Sequence, residues 1–142
     1  MDAARIPAHC FVVYDQGKNT MEHPLLSVVD DDESVRESLP DLLRELGFAA
    51  QAFSSAQEFL SSDYLDQTQC LILDVAMPGM TGLDLQEELN RRGMKIPIIF
   101  ITGQKDEDIR TEALRRGAVK FLYKPFSDTA LLNAVNAALP AK

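Results

Sequence analysis

The sequence predicts an α/β fold in which five short parallel strands alternate with five helices. Three observations lead to this fold class: five compact apolar runs, an amphipathic segment after each run, and a glycine that closes three of those segments. Such alternation implies a doubly wound parallel sheet with right-handed crossovers and helices on both faces. We therefore expect a single (βα)5 domain.

The predicted strands are the apolar runs themselves. They lack the polar alternation of a half-exposed strand, as is typical of strands covered on both faces. They are LLSVV at 25–29, AAQAF at 49–53, CLILD at 70–74, IIFIT at 98–102 and KFLY at 120–123.

The predicted helices lie after these runs and carry apolar residues at helical spacing. The fourth helix has the thinnest apolar stripe, so we expect it to be the element that moves. The residues of the five stripes are Val35, Leu39, Leu42, Leu43 and Leu46, then Phe59 and Leu60, then Leu85 and Leu89, then Ile109, Ala113 and Leu114, and finally Leu131, Leu132, Val135 and Leu139.

Local signals mark several helix ends. Ser54 or Ser55 suits the cap of the second helix. Pro40 predicts a kink in the first helix unless that helix begins later than its apolar pattern indicates. A glycine suited to the left-handed residue past a helix end follows three of the helices, at Gly47, Gly93 and Gly117.

Composition excludes several function classes. The net charge of −8 and a pI of about 4.7 argue against unspecific binding to nucleic acid or to an anionic membrane. No apolar stretch approaches the ~20 residues of a membrane helix, and the start lacks the order of a secretory signal. Cys10 and Cys70 show no metal spacing. We expect a cytoplasmic protein.

The chain divides at residue 24. Residues 1–23 follow no clear period, and we interpret them as a mobile or loosely docked extension, in which the FVVY patch at 11–14 could add an edge strand. Residues 24–142 form the predicted domain, and this length is sufficient to bury a core.

Polar residues terminate most of the predicted strands. In open α/β sheets ligands bind beyond the carboxyl ends of the strands, where these residues would meet. They are Asp30 and Asp31 after the first run, Asp74 at the end of the third, Thr102 at the end of the fourth, and Lys124 after the fifth. Singly, each has a structural interpretation, as a helix cap, a strand threonine or a solvated strand end. Together at one edge they predict a site, whereas Asp32 or Glu33 caps the first helix.

Charge predicts the ligand of this site. Three carboxylates with one ammonium leave an excess of negative charge. Hard oxygen ligands without histidine or thiolate favour Mg²⁺, or Mn²⁺ as a substitute, over Zn²⁺. Mg²⁺ commonly completes its shell with phosphate oxygens, so we expect a phosphoryl group that Thr102 and Lys124 could bind. Glycine-rich nucleotide motifs are absent. Asp74 lies centrally and is the predicted nucleophile.

Four motifs carry a family resemblance. They are VVDDDESVR at 28–36, LILDVAMPGMTGLDL at 71–85, IIFITG at 98–103 and FLYKPF at 121–126. Over residues 25–139 the chain resembles a bacterial response-regulator receiver domain, CheY-like and closest to the FixJ type. The resemblance implies a flavodoxin-like fold with strand order 2-1-3-4-5.

The resemblance also implies roles for individual residues. Asp74 would be the phosphoacceptor, with Asp31 a direct Mg²⁺ ligand and Asp30 acting largely through water. The Ala76 backbone carbonyl would be a further metal ligand. The other implied roles are the switch hydroxyl for Thr102, the switch aromatic for Phe121, and a phosphoryl-binding ammonium for Lys124, which a cis Lys124–Pro125 bond would orient.

The implied function is two-component signal transduction rather than enzymatic turnover. The phosphodonor would be a sensor histidine kinase, a histidine phosphotransfer protein or a small phosphodonor. The resemblance also allows a homodimer and, if the chain is a piece of a longer regulator, a DNA-binding output domain. Two alternatives stay open: a pseudo-receiver that never takes phosphate, and a phosphatase of the haloacid dehalogenase type. The latter would want a second acid where Ala76 stands, and Ala76 and Gln104 leave the phosphoryl lifetime undetermined.

Overall fold

The main sheet contains five parallel strands. The computed structural model describes residues 12–14 and 20–139. In chain order the sheet strands are β3 (Leu25–Val29), β4 (Ala49–Phe53), β5 (Cys70–Asp74), β6 (Ile98–Thr102) and β7 (Lys120–Tyr123). Their spatial order is β4-β3-β5-β6-β7, which is 2-1-3-4-5 when only these five strands are counted. All five predicted strands and the implied order are confirmed.

Five helices connect and follow these strands. They are α1 (Glu33–Glu45), α2 (Ala56–Leu60), α3 (Gly82–Arg91), α4 (Glu107–Arg115) and α5 (Asp128–Ala138). Asp32 caps α1 through a 2.9 Å bond from the Ser34 amide, and Ser55 caps α2. Pro40 lies inside α1, so the interpretation in which α1 begins later is wrong. A 3-10 turn, Leu65–Gln67, follows α2.

The helices cover both faces of the sheet. One buried cluster includes residues of α2, α3 and α4 with Phe100 and Phe121, and the other includes residues of α1 and α5 with Ile72 and Ile99. The central strands β3, β5 and β6 are buried along their whole length, which explains their mainly apolar sequences. Cys70 is buried as a free thiol.

Turn glycines end three helices as predicted. Gly47, Gly93 and Gly117 all have positive φ, between 74° and 107°, a conformation that costs an L-residue free energy but costs glycine little. Each amide donates to a carbonyl in the last turn of the preceding helix. These turns send the chain back toward the next strand.

Part of the predicted extension is described. Val12–Tyr14 (β1) pairs antiparallel with Thr20–Glu22 (β2) in a separate two-stranded sheet, so the FVVY patch adds no edge to the main sheet. Residues 1–11 and 15–19 lie outside the described residues, as does Cys10. The boundary at residue 24 stays a prediction. Among the described residues no helix has the length and apolar character needed to cross a bilayer.

Candidate functional site

The strand ends bring Asp30 and Asp74 side by side. Val29 of β3 pairs with Leu73 of β5. The residues that follow them, Asp30 and Asp74, therefore lie at the same level of the sheet. The ladder continues past both strands, because the Asp30 amide donates to the Phe53 carbonyl and the Val75 amide to the Ile101 carbonyl, each at 3.1 Å. The backbone therefore holds both carboxyl groups firmly at the carboxyl edge.

Three carboxyl groups form one cluster at this edge. Each of Asp30, Asp31 and Asp74 offers a carboxylate oxygen that lies within 4.8 Å of those of the other two. Asp30 is fully buried and Asp74 is 6% exposed, whereas Asp31 is open to solvent. An all-oxygen donor set of this kind suits a hard divalent cation such as Mg²⁺. The donor chemistry and spacing fit the ion that the sequence predicts.

Lys124 neutralises part of this negative charge. Its Nζ lies 3.0 Å from Asp30 Oδ2 and 3.9 Å from Asp74 Oδ1. Desolvation lowers the pKa of the Lys124 ammonium, but the hydrogen bond and charge of Asp30, followed by the charge of Asp74, outweigh it and raise the pKa above its ordinary value. The ammonium is thus fully charged at neutral pH. The Lys124–Pro125 peptide bond is cis, as predicted.

The pKa of Asp74 is raised to about 7. Desolvation by burial is the largest cause, and the Asp30 charge is the second, while Lys124 opposes both. The sequence predicts that repulsion among the acids raises at least one carboxyl pKa. The direction is confirmed, although burial contributes more than repulsion.

Thr102 ends β6 one residue after Ile101, the partner of Asp74 in the β5–β6 register, and Phe121 lies within β7. The Thr102 hydroxyl is buried and accepts a 3.2 Å hydrogen bond from the Gln104 amide. The Thr102 carbonyl accepts a 2.7 Å bond from the Lys124 amide, which ties the two strand ends together. Phe121 is buried in the core, with its ring centroid 6.0 Å from that of Phe100.

Gly82 supports the site, a role that its place in the LILDVAMPGMTGLDL motif did not specify. A Cβ at Gly82 would lie 2.4 Å from the Asp74 carbonyl oxygen and 3.0 Å from a ring carbon of Phe100. Only a glycine lets the start of α3 approach the Asp74 backbone this closely. The Gly82 amide also donates to the Val75 carbonyl at 2.9 Å. The glycine directly after the Thr81 cap was the available signal.

Other residues position the acids. The Asp32 amide donates to Asp30 Oδ1 at 2.9 Å, and Arg36 Nη1 donates to the Asp30 carbonyl at 3.1 Å. Because Lys124 binds the other carboxylate oxygen of Asp30, both oxygens of this side chain are engaged. Ala76 lies in the exposed loop two residues after Asp74.

The family model described as a response regulator receiver domain matches residues 26–136, most of the chain. The chain therefore belongs to the response regulator receiver domain family. It is 52% identical to nodulation protein W of Bradyrhizobium diazoefficiens over 114 residues, 80% of this chain and 50% of that protein. It is 45% identical to the response regulator TodT of Pseudomonas putida over 115 residues, 81% of this chain and 51% of that protein. The chain spans about half the length of these relatives.

Solved receiver structures have the same fold. The crystal structure of FixJ-N superposes with a TM-score of 0.76 at 37% identity and covers 86% of this chain and 100% of that one. The match confirms the CheY-like, FixJ-type resemblance and the assignment to the response-regulator receivers of two-component signalling. Neither the phosphatase nor the pseudo-receiver alternative gains support from these comparisons.

Proposed function

We propose that this receiver domain takes a phosphoryl group on Asp74 in a Mg²⁺-dependent reaction and thereby changes the surface around α4, β7 and α5. The observation that carries the proposal is the cluster of Asp30, Asp31 and Asp74, with the Lys124 ammonium beside Asp30 and Asp74. The cluster supplies a nucleophile, a cation-binding set of oxygens and a fixed positive charge within a few ångströms of one another.

In the proposed step, a carboxylate oxygen of Asp74 attacks the phosphorus of the donor. The new bond is P–O in a mixed anhydride, and the bond that breaks is the P–N bond of a phosphohistidine or the P–O bond of acetyl phosphate. The leaving imidazole or acetate keeps the bonding electron pair. Only the ionised carboxyl group attacks, so the raised pKa of Asp74 in the metal-free site opposes the step, and Mg²⁺ would favour the reactive carboxylate when bound.

The proposed Mg²⁺ site uses Asp31, Asp74 and the Ala76 carbonyl directly and Asp30 largely through water. Mg²⁺, when bound, would neutralise the charge that develops on the phosphoryl oxygens. The hydrogen bonds to both Asp30 oxygens support its indirect role, and Asp31 is the acid of the cluster that is open to solvent.

Lys124 and Thr102 would then bind the phosphoryl oxygens. The Lys124 ammonium already lies 3.9 Å from an Asp74 oxygen, so a small side-chain movement would bring it to the added group. The Thr102 hydroxyl keeps its proton for donation, since it accepts from Gln104. Movement of Thr102 would alter the space beside Phe121 and so bias a two-state arrangement of α4 and β7.

The phosphodonor in this proposal is a sensor histidine kinase, a histidine phosphotransfer protein or a small phosphodonor in the cytoplasm. TodT and the FixJ proteins are named as response or transcriptional regulators. We propose a DNA-binding output domain for the full regulator if this chain is a piece of one. The receiver itself, with its net charge of −8, would not contact nucleic acid directly.

Intact-mass measurement tests the assignment. We expect the wild type to gain one phosphate from acetyl phosphate with Mg²⁺, and to gain none when EDTA replaces Mg²⁺. Asp74→Asn should gain none under either condition, because the amide is no nucleophile. Asp63→Asn, on a surface acid outside the cluster, is the matched control and should gain one phosphate. Equal labelling of Asp74→Asn and wild type would show that Asp74 is not the acceptor. A wild type that takes no phosphate would favour a pseudo-receiver.

A further inference from the structure

Two consecutive residues of α3 make polar contacts with α4 and its C-terminal cap. Gln86 is 1% exposed, and its Nε2 donates to the Ala113 carbonyl of α4 at 3.1 Å. Glu87 follows and lies 3.9 Å from Arg116, but its side chain is 72% exposed. Water screens the second contact, so Gln86 supplies the buried polar link between the helices.

The amide of Gln86 is only half satisfied. Its Oε1 is buried without a hydrogen-bond partner, and across residues 23–139 it is the one buried side-chain oxygen or nitrogen in this condition. Such an atom costs free energy in the arrangement seen here, and native proteins retain few of them. An arrangement of α4 that gave Oε1 a partner would recover that cost.

The hydrogen bond from Gln86 is a second one to a carbonyl of α4 that already has a backbone partner. The Ala113 carbonyl also accepts a 3.0 Å bond from the Ala118 amide at the helix end. Removing the Gln86 donor would therefore leave no unpaired carbonyl behind. The contact positions α4 without being needed to complete the backbone hydrogen bonding of that helix.

Apolar packing alone fixes α4 weakly. Ala113 is the one fully buried residue of the helix, whereas Ile109 and Leu114 are half-buried. A tether at the Ala113 carbonyl therefore acts at the point where α4 contacts the core most closely.

Gln86 also lies close to the proposed acceptor along the chain. It comes one helical turn after Gly82, whose Cα lies close to the Asp74 carbonyl oxygen. The first turn of α3 thus runs from the backbone of Asp74 to the carbonyl of Ala113. This route passes through α3 and differs from the route through Thr102 and Phe121.

We propose that Gln86 is a positioning residue for α4: its Nε2 tethers α4 in the arrangement seen here, and its unpaired Oε1 keeps that tether weak enough to release. The inference rests on the proposed function, because release of α4 would accompany phosphorylation of Asp74. Loss of the tether therefore favours the phosphorylated arrangement.

Gln86→Met tests the tether, since methionine keeps the length of the side chain and removes both polar atoms. We expect amide hydrogen exchange in α4 of the unphosphorylated protein to rise about fivefold, the factor that corresponds to ~1 kcal/mol for one hydrogen bond. Urea unfolding should show a stability equal to or above that of the wild type, because the unpaired Oε1 is also removed. Gln86→Leu is the second variant and should behave alike.

Leu89→Met is the matched control on the same helix and in the same core, without a bond to α4. Its α4 exchange should change only in proportion to its global stability. The proposal is overturned if the Gln86 variants show the same proportional behaviour, or if their α4 exchange equals that of the wild type.

Beryllofluoride with Mg²⁺, a stable phosphoryl mimic, supplies the second readout. Gln86→Met should bind it several-fold more tightly than the wild type, whereas a residue that only stabilised the fold would leave the affinity unchanged. Equal affinity in the two proteins would overturn the proposal. A wild type that neither binds the mimic nor takes phosphate would instead contradict the proposed function. Amide hydrogen exchange in α4 would still test the tether in that case.

Discussion

Helices α3 and α4 share a surface motif but differ in their anchoring. Both end in Arg-Arg-Gly, and in each a glutamate bridges two arginines. Glu88 Oε2 lies 2.6 and 2.7 Å from Arg91 and Arg92, and Glu112 Oε2 lies 2.6 and 2.5 Å from Arg115 and Arg116. Yet α3 buries four residues, Gly82, Leu85, Gln86 and Leu89, while α4 buries Ala113 alone.

The comparison shows that surface ion pairs and buried side chains contribute differently to holding a helix in place. Exposed ion pairs gain little, because water screens them and both side chains lose conformational freedom. Burial of leucine side chains removes apolar surface from water and is therefore the stronger anchor. We infer that α3 is a fixed support beside the site and that α4 is the more readily displaced element.

Truncation of one leucine in each helix should give the largest difference. Leu89→Ala, at a residue 1% exposed, should lower the free energy of unfolding by about 2–5 kcal/mol through lost burial and a cavity. Leu114→Ala, at a half-buried residue of α4, should cost about 1 kcal/mol or less. Urea unfolding with equal m-values measures both. Equal losses would contradict the difference in anchoring.

Asp74→Asn should change the free energy of unfolding more than any substitution of an exposed charge on α4, because Asp74 is a buried acid near the start of α3. The pKa of Asp74 is about 7 in the folded protein against an ordinary 3.8, so folding disfavours the ionised form. This penalty is absent below pH ~4, grows as pH rises toward 7 and is constant above that. Without divalent cation, Asp74→Asn should therefore exceed the wild type in stability at pH 7.5, on the order of 2–4 kcal/mol.

The pH series provides its own control. At pH 4 the gap should shrink to about 0.6 kcal/mol, because Asp74 is then protonated in the folded protein and only partly ionised in the unfolded chain, whose ordinary pKa is 3.8. Saturating Mg²⁺ at pH 7.5 should stabilise the wild type selectively and narrow the gap, because the ion binds the carboxylate form. A difference that does not vary with pH would show that burial and Asp30 do not raise the pKa of Asp74.

Gly82→Ala should destabilise the protein more than an alanine in the loop before α4, because α3 begins in close contact with the Asp74 backbone. The new Cβ would meet the Asp74 carbonyl, so backbone must shift at a cost of about 1–3 kcal/mol. Gly103→Ala is the control, because a Cβ there meets nothing within 4 Å. Thermal unfolding of both variants measures the effect, and we also expect slower phosphate uptake in Gly82→Ala. Equal unfolding temperatures would refute the close approach.

Glu88→Gln and Glu112→Gln should give the smallest effects, and similar ones in both helices. The arginine neighbours hold the pKa of Glu112 at about 2 and lower that of Glu88, but both glutamates are in contact with water, with 30% and 18% of their side chains exposed. The small loss of stability should shrink further in 1 M NaCl. A large loss confined to the α4 variant would show that its ion pairs anchor the helix after all.

Much of the site was predictable because it depends on short-range sequence features. Parallel strands place their carboxyl ends at one edge, so Asp30, Asp74 and Lys124 could be assigned together from their positions after apolar runs. The structure confirms that they meet. Strand order, by contrast, came from the family resemblance, since the apolar runs do not state which neighbours they pair with.

Other features needed three-dimensional contacts. The helical pattern of α3 gives Leu85 and Leu89 as its buried residues and offers no reason to bury Gln86 between them. The opposing backbone of α4 supplies that reason. Likewise, the largest cause of the raised Asp74 pKa is burial by surrounding strands and loops, which adjacent sequence cannot show.

The sequence by itself determined the strands, the helix ends and the identity of the acids, because these follow from local patterns of apolar, capping and turn residues. Tertiary structure decided which polar atoms are paired, how tightly Gly82 meets Asp74 and that Gln86 of α3 bonds to the backbone of α4. These properties depend on distances of a few ångströms between segments far apart in the chain, and such distances exist only after the chain has folded.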